Sequence, residues 1–234
     1  MKNLIITDLS RFTNPAIVCI ALVDPESGVC YRPLPYLTSS QCKALNIQPG
    51  TIISGDVSLK PDNVKPHIED ANCEGLKFVG TSSADEFKNV LLQTLSPGAS
   101  AGFGVQFENG QKFIPHDTPP ATCSIITLKI EPAKLAIFED RYKPGKIKLS
   151  FTDSDGHRFQ YLSITDRGFY DFAMTHQHDS ELGKVQKLIH KQEEIYIRLG
   201  LSRCFEAPDG RKGYWLQING LYSFPDYLKE LRHY

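Results

Sequence analysis

The stretch KIKLSFTDSDGHRFQYLSITD (residues 146–166) decides the fold class. It contains two runs in which apolar and polar residues alternate, joined at Asp155-Gly156, a pair that readily takes positive φ in a tight turn. A period of two is that of a pleated strand with one buried face. The stretch therefore predicts a β-hairpin. A second hairpin closes the chain, IYIRLGLSRCFEAPDGRKGYWLQINGLYSF (residues 195–224), turning at Pro208-Asp209-Gly210. Between the two, SELGKVQKLIHKQEEI (180–195) places Leu182, Val185, Leu188 and Ile189 on one helical face.

The first half carries the same grammar. PAIVCIALVD (15–24) is an apolar strand, PESG turns it, and VCYRPL (29–34) returns. SSQCKALNI (39–47) reads as a short helix capped by Ser39 or Ser40, and PGTIISGDVSL (49–59) as the next strand. SSADEFKNVLLQTLS (82–96) is the clearest helix. Ser82 or Ser83 caps it, Asp85 and Glu86 occupy its first turn, and Phe87, Val90, Leu91 and Leu95 share a face. Each half thus shows about five short strands with a helix inserted late. The expected fold is mainly β, as two OB-like Greek-key barrels with inserted helices. Pro119-Pro120 sets the expected boundary, giving domains of residues 1–120 and 121–234.

Composition narrows the function classes. The 234 residues are 41% apolar, enough for real cores, and no segment approaches the roughly 20 apolar residues of a membrane span. The N-terminus MKNLIITDLSRF reads as a first strand rather than a signal peptide. Six cysteines are scattered without a CxxC pair. Reduced, mostly buried thiols in a cytoplasmic protein are expected, without a structural metal. The formal net charge of −1 leaves no global electrostatic footprint for nucleic acid. Residues 1–120 hold 9 Lys+Arg against 12 Asp+Glu, and residues 121–234 hold 17 against 15, so the second half is favoured for any phosphate contact.

CIALVD followed by GVCYRPLPYL, then LNIQPGTIISGDV, KPHIED, SAGFGVQF and the terminal YWLQINGLYSFPDY, together resemble the bacterial dual OB-containing domain family. The resemblance covers nearly the whole chain as an overall pattern, without a catalytic signature. It implies two OB-like barrels and a polymer- or nucleotide-binding role, in a family associated by fold and context with nucleic acids and bacterial defence.

Candidate contacts follow from the residue types. GVCYRPLPY (28–36) offers Tyr31 and Tyr36 for stacking and Arg32 for phosphate, or else Tyr31 packs in the core and Arg32 covers an edge. PGASAGFGV (97–105) is glycine-rich but lacks the Lys-Ser/Thr ending of a phosphate loop, so a tight connection with Phe103 inward is the better reading. KPHIED (65–70) groups His67, Glu69 and Asp70. MTHQHDSE (174–181) groups His176, His178 and Asp179, with Asp179 or Ser180 as a helix cap. Both groups read as polar loops ahead of any hydrolytic centre. In the last hairpin Arg203 leads in, Arg211 and Lys212 sit at the tip, and alternation from Leu216 and Ile218 puts Tyr214 inward. Trp215, Gln217 and Asn219 then face outward, suited to stacking and hydrogen bonding with a base, although Trp215 packing on the other barrel or on the C-terminal tail fits equally.

No nucleophile–base pair, metal set or phosphate loop is legible, so no enzyme and no cofactor are expected. The expected function is binding of single-stranded DNA or RNA, or of a nucleotide-like ligand. The alternative is a protein-interaction module of a defence or regulatory complex. No membrane partner is expected.

Overall fold

A computed structural model describes residues 1–143, 145–178 and 182–226. Strands take up 44% and helices 20%, so the fold is mainly β. The first unit contains β1 (Lys2–Arg11), β2 (Ile17–Val23), β3 (Cys30–Pro33), β4 (Leu37–Thr38), α1 (Ser39–Ala44), β5 (Thr51–Leu59), β6 (Asp70–Thr81) and α2 (Ala84–Gln93). Its strand order is β1-β5-β6-β3-β2, and β1 also pairs with β2. Five strands therefore close into a barrel, consistent with an OB-like one. All its pairs are antiparallel except β3 with β6.

Helix α1 is capped by Thr38, whose hydroxyl accepts from the Gln41 N–H while the Gln41 side chain accepts from the Thr38 N–H. That cap lies one residue ahead of the expected serines, because Gln41 completes the reciprocal box only from there. Helix α2 is capped by Ser83 with Glu86 and buries Phe87, Val90 and Leu91. Leu95 falls beyond its end and stays partly exposed.

The second unit contains α3 (Ala99–Phe103), β7 (Phe113–Pro115), β8 (Ile125–Ile130), a single 3-10 turn (Pro132–Lys134), β9 (Leu135–Glu139), β10 (Ile147–Thr152), β11 (Arg158–Ile164), α4 (Arg167–His178), α5 (Leu182–His190), β12 (Glu194–Leu201), β13 (Phe205–Glu206) and β14 (Lys212–Phe224). Its order is β8-β12-β14-β11-β10-β9, with β7 and β13 also paired to β14. The β11–β14 pair is parallel. Ala99, Phe103, Phe107 and Ile114 all join the core of this unit, and β7 pairs with β14. Ala99, Phe103, Phe107 and Ile114 are thus buried with the second core although they precede Pro119-Pro120. The glycine-rich stretch is a short packed helix that ends on Gly104 in the left-handed region, with Phe103 inward.

The two units meet through a seam. Ile5, Val23, Phe87, Val90 and Leu91 pack there against Tyr196, Tyr222 and Phe224. Backbone bridges cross it at Ser10–Asp166 and Leu95–Thr127. At its centre Arg198 of β12 is fully buried. Its Nε and Nη2 each lie 3.0 Å from Asp8 Oδ2 on β1. Nη1 donates to Thr94 and Thr127 Oγ1 at 3.1 and 3.0 Å, and Nη2 also reaches Cys30 Sγ at 3.4 Å. Asp8, Cys30, Thr94 and Thr127 thus surround the guanidinium with acceptors. Burial alone would weaken its hold on the proton, but Asp8 and Cys30 raise it above the ordinary arginine value.

The six cysteines are unpaired. Cys42 is buried, Cys204 is exposed and the other four are half-buried, so the enclosure is less complete than expected. Burial pushes the Cys19 and Cys30 thiols up to about 12. No helix among the described residues is long and apolar enough to cross a membrane.

Two outcomes are expected. Asp8→Ala strands a buried guanidinium and should cost about 3–5 kcal/mol in urea unfolding, whereas an apolar Asp8→Leu, Arg198→Met pair should recover most of that loss. Thiol titration of the native protein should find Cys204 reacting first, the four half-buried thiols slowly and Cys42 only on unfolding. Equal rates for all six would contradict the placement.

Candidate ligand-binding groove

The hairpin of β10 and β11 is not regular. Leu149 pairs with Leu162 and Phe151 with Phe159, so Gln160 and Tyr161 together oppose Ser150. The extra residue is a β-bulge, and Tyr161 takes φ 55°, a left-handed conformation that a tyrosine adopts at a cost. Ser150, itself buried, accepts the Tyr161 N–H on its hydroxyl at 2.9 Å. The bulge leaves the Tyr161 ring 41% exposed beside Phe138, with the centroids 5.5 Å apart.

Tyr161 stands where two clefts meet. One, of about 640 Å³, lies between the β9–β10 loop, the β10–β11 face and helix α4. Among the described residues, six basic side chains line it (Arg11, Lys112, Arg141, Lys143, Lys146 and Lys148) against the single carboxylate of Asp140, together with Tyr142, Tyr161 and Tyr170. The second, of about 340 Å³, continues along the same face past Phe205 and Ala207 to Trp215. Lys112, Lys148, Tyr161 and Ser163 line both, which makes one groove. Lys148 is held at its centre, donating to Ser163 Oγ at 2.9 Å and lying 3.9 Å from Asp140. Burial weakens its hold on the proton, and the neighbouring lysines 112, 143 and 146 weaken it further against the pull of Asp140.

At the far end, Trp215 is half-buried and stacks on Phe113 at 5.0 Å. The Arg211 guanidinium lies 4.9 Å from the indole and 5.5 Å from Phe113, while pairing with Asp209 at 2.6 Å. These separations close a near-equilateral triangle, so Arg211 caps the two rings together and does not cover the far face of the indole.

The other expected contacts are placed differently. Tyr31 is buried in the first barrel, its hydroxyl 3.3 Å from Lys2 Nζ. Arg32 is buried too, with Nε donating to Asp70 Oδ1 at 2.7 Å and Nη1 to Ser124 Oγ at 3.1 Å. Arg203 makes a bidentate pair with the same Asp70, at 2.7 and 2.8 Å, and donates to the Tyr36 hydroxyl at 3.2 Å. The structure thus brings Arg32, Tyr36 and Arg203 together, but around an internal carboxylate. Glu69 accepts from the Ser124 and Ile125 N–H groups and from Ser124 Oγ. KPHIED is therefore neither a hydrolytic centre nor a plain loop; it fastens the first unit to the second. His67 is enclosed between them with its ring edge-on to Tyr214, and burial, with Arg32 and Arg203 nearby, pushes it down to about 3.

Along β14 the expected alternation stops at Ile218. Asn219 is buried against Gly200 and accepts from Thr165 Oγ1 at 2.9 Å, because this half of the strand is covered on both faces at the seam. Gln217 is half-buried and Lys212 exposed, and neither lines the groove. His176 lies in α4 with Nδ1 2.9 Å from the Phe172 carbonyl oxygen; the His178 side chain, Asp179 and Ser180 lie outside the described residues. Asp153, Asp155 and His157 gather within 4.8 Å, but the Asp153 carboxylate is already taken by the N–H groups of Ala99, Asp155 and His157. The sequence reading missed Arg11, Lys112, Lys148, Tyr161 and Tyr170. Its one available signal was the run Arg141-Tyr142-Lys143 to Lys146-Ile147-Lys148, basic residues interleaved with a tyrosine.

The Asp70 clamp carries a pH prediction. Burial pushes its carboxyl up, yet Arg203 and Arg32 outweigh that and hold it below the usual value. Its folded pKa is therefore below the unfolded one. The stabilisation is complete above about pH 4 and is lost as pH falls through the lowered value. Asp70→Asn should remove that part of the acid dependence in urea unfolding followed from pH 6 to 3; an unchanged profile would contradict it. No family model and no curated protein matches the chain.

Proposed function

We infer that the groove on the second unit binds single-stranded nucleic acid or a nucleotide-like ligand, and that this unit is a second OB-like barrel whose first strand is broken in two. The single observation behind the binding role is the continuous groove over β10, β11 and β14, lined by cations from the end of β1, the β9–β10 loop, Lys112 and Lys148 together with the rings of Tyr142, Tyr161, Phe205 and Trp215. Aromatic faces stack bases without regard to sequence, while lysine and arginine meet the backbone. The barrel reading is supported by strand order. In the first barrel β1 pairs with both β2 and β5, and in the second unit β9 pairs with β10 while β8 pairs with β12. β8 and β9 are consecutive and separated only by the 3-10 turn, so together they fill the place of one strand. OB-type barrels bind on strands 2 and 3 between the first and last hairpin loops. In the second unit those elements are β10 and β11, with the β9–β10 and β12–β14 loops beside them.

A protein-interaction role is the second reading. It rests on Phe78 and Val79 of β6, which are 45% and 51% exposed. Exposed apolar residues of this kind are ordinary on protein surfaces, which is why it ranks second.

Fluorescence anisotropy with single-stranded DNA and RNA oligonucleotides at two salt concentrations tests the first reading. Stacking is worth ~1–3 kcal/mol per base, so Tyr161→Gly should weaken binding roughly 5- to 150-fold. The same variant should melt no lower, since glycine accepts the left-handed backbone without strain. Lys112→Ala should lower affinity modestly and flatten the salt dependence by about one unit of slope. Binding that ignores both substitutions would refute the groove.

A further inference from the structure

We propose that the α4 end of the groove is a pocket for a terminal phosphate, the phosphomonoester at the end of a strand or on a free nucleotide; this rests on the ligand class inferred above. Three observations carry it. Charge is the first. Along a strand each nucleotide brings one negative charge, and a lysine or two suffices for it. Here, among the described residues, six cations converge on one cleft that holds a single carboxylate. A terminal phosphate carries about −1.5 to −2 charges and three acceptor oxygens, which matches that density far better than a passing phosphodiester.

The second is Arg11. It arrives from the last residue of β1, in the other unit, where its N–H bonds the Thr165 carbonyl at 2.8 Å. Its guanidinium carbon lies 3.7 Å from the centroid of the Tyr170 ring. Stacking therefore fixes the plane of the guanidinium, yet Nη1 is buried and makes no hydrogen bond. A pre-oriented buried donor without an acceptor is costly unless something supplies one. The Arg11 side chain lines the cleft, and a phosphate there would reach Nη1 once the groups covering that atom move aside.

The third is the shape of that end. Tyr170 belongs to α4, which packs on both β1 and β10, so the helix and the Arg11–Tyr170 stack border the cleft on that side. Toward Trp215 the groove stays continuous. A strand lying on β10 and β11 would run up against this border, which favours its end there. Lys148, weakened in its hold on the proton by burial and, against the pull of Asp140, by neighbouring lysines, lies in the same positive region.

The test uses internally labelled 12-residue oligonucleotides carrying 5′-hydroxyl, 5′-phosphate or 3′-phosphate ends, with a nucleoside triphosphate as competitor. One phosphorylated end should bind about tenfold tighter than hydroxyl ends, the scale of one added set of charge-assisted hydrogen bonds. Arg11→Gln and, separately, Lys143→Ala should shrink that preference, lowering phosphate-ended binding by more than they lower hydroxyl-ended binding. Two variants guard against a folding defect in one. Competition by the triphosphate at matching affinity would support the pocket and assign it to free nucleotides; failure to compete, with the end preference intact, would assign it to strand ends. Equal affinity for all three ends would overturn the terminal pocket and leave groove binding standing. Absence of binding by every oligonucleotide and by the triphosphate would overturn both.

Discussion

Everything in this molecule hangs on where Arg198 is. A guanidinium cannot shed its proton in a protein, so burying one requires that every donor find an acceptor. Asp8, Thr94, Thr127 and Cys30 surround it with acceptors, and they come from β1, the end of α2, β8 and β3. One side chain of the second unit is thereby bound to three separate elements of the first. The apolar seam of Phe87, Tyr196, Tyr222 and Phe224 and the bridges at Ser10–Asp166 and Leu95–Thr127 fit only when those elements are in register. The two units are consequently one packed body in which relative motion would expose an ion pair.

That constraint decides which face remains open. In the first barrel the β3 edge and the loop before β6 are consumed by the joint: Arg32 and Glu69 reach Ser124, and Asp70 holds Arg203. The aromatic and basic residues of GVCYRPLPY are therefore spent internally. In the second unit the corresponding hairpin is open, and the bulge at Tyr161 turns a ring outward at a place where a regular ladder would not. Ser150 makes the bulge tolerable by taking the N–H that the ladder leaves unpaired.

The charge of the groove shows why a whole-chain net charge is a poor guide. The protein carries −1, yet Arg11 and Lys112 from the first 120 residues join Arg141, Lys143, Lys146 and Lys148 on one surface. Electrostatic attraction depends on distance within about a Debye length, ~8–10 Å at ordinary salt, and so on local grouping rather than on the sum.

What the sequence determined by itself is local. Alternation about Asp155-Gly156 specified a hairpin, Ser83 with Glu86 specified a helix start, and Pro208-Asp209-Gly210 specified the last turn, because each depends on residues a few positions apart. The mainly β class followed from these. Tertiary structure alone decided the rest. Asn219, outward by alternation, is buried because a second unit covers that half of β14. Residues 99–114 pack with the second core because only there are Phe103, Phe107 and Ile114 enclosed. Arg11 and Tyr170 are 159 positions apart and meet through the seam, and Arg32 and Asp70 are 38 apart and meet across a parallel strand pair. Binding surfaces of this kind are made of residues whose proximity is set by strand pairing and docking, and no short-range pattern in a chain encodes that.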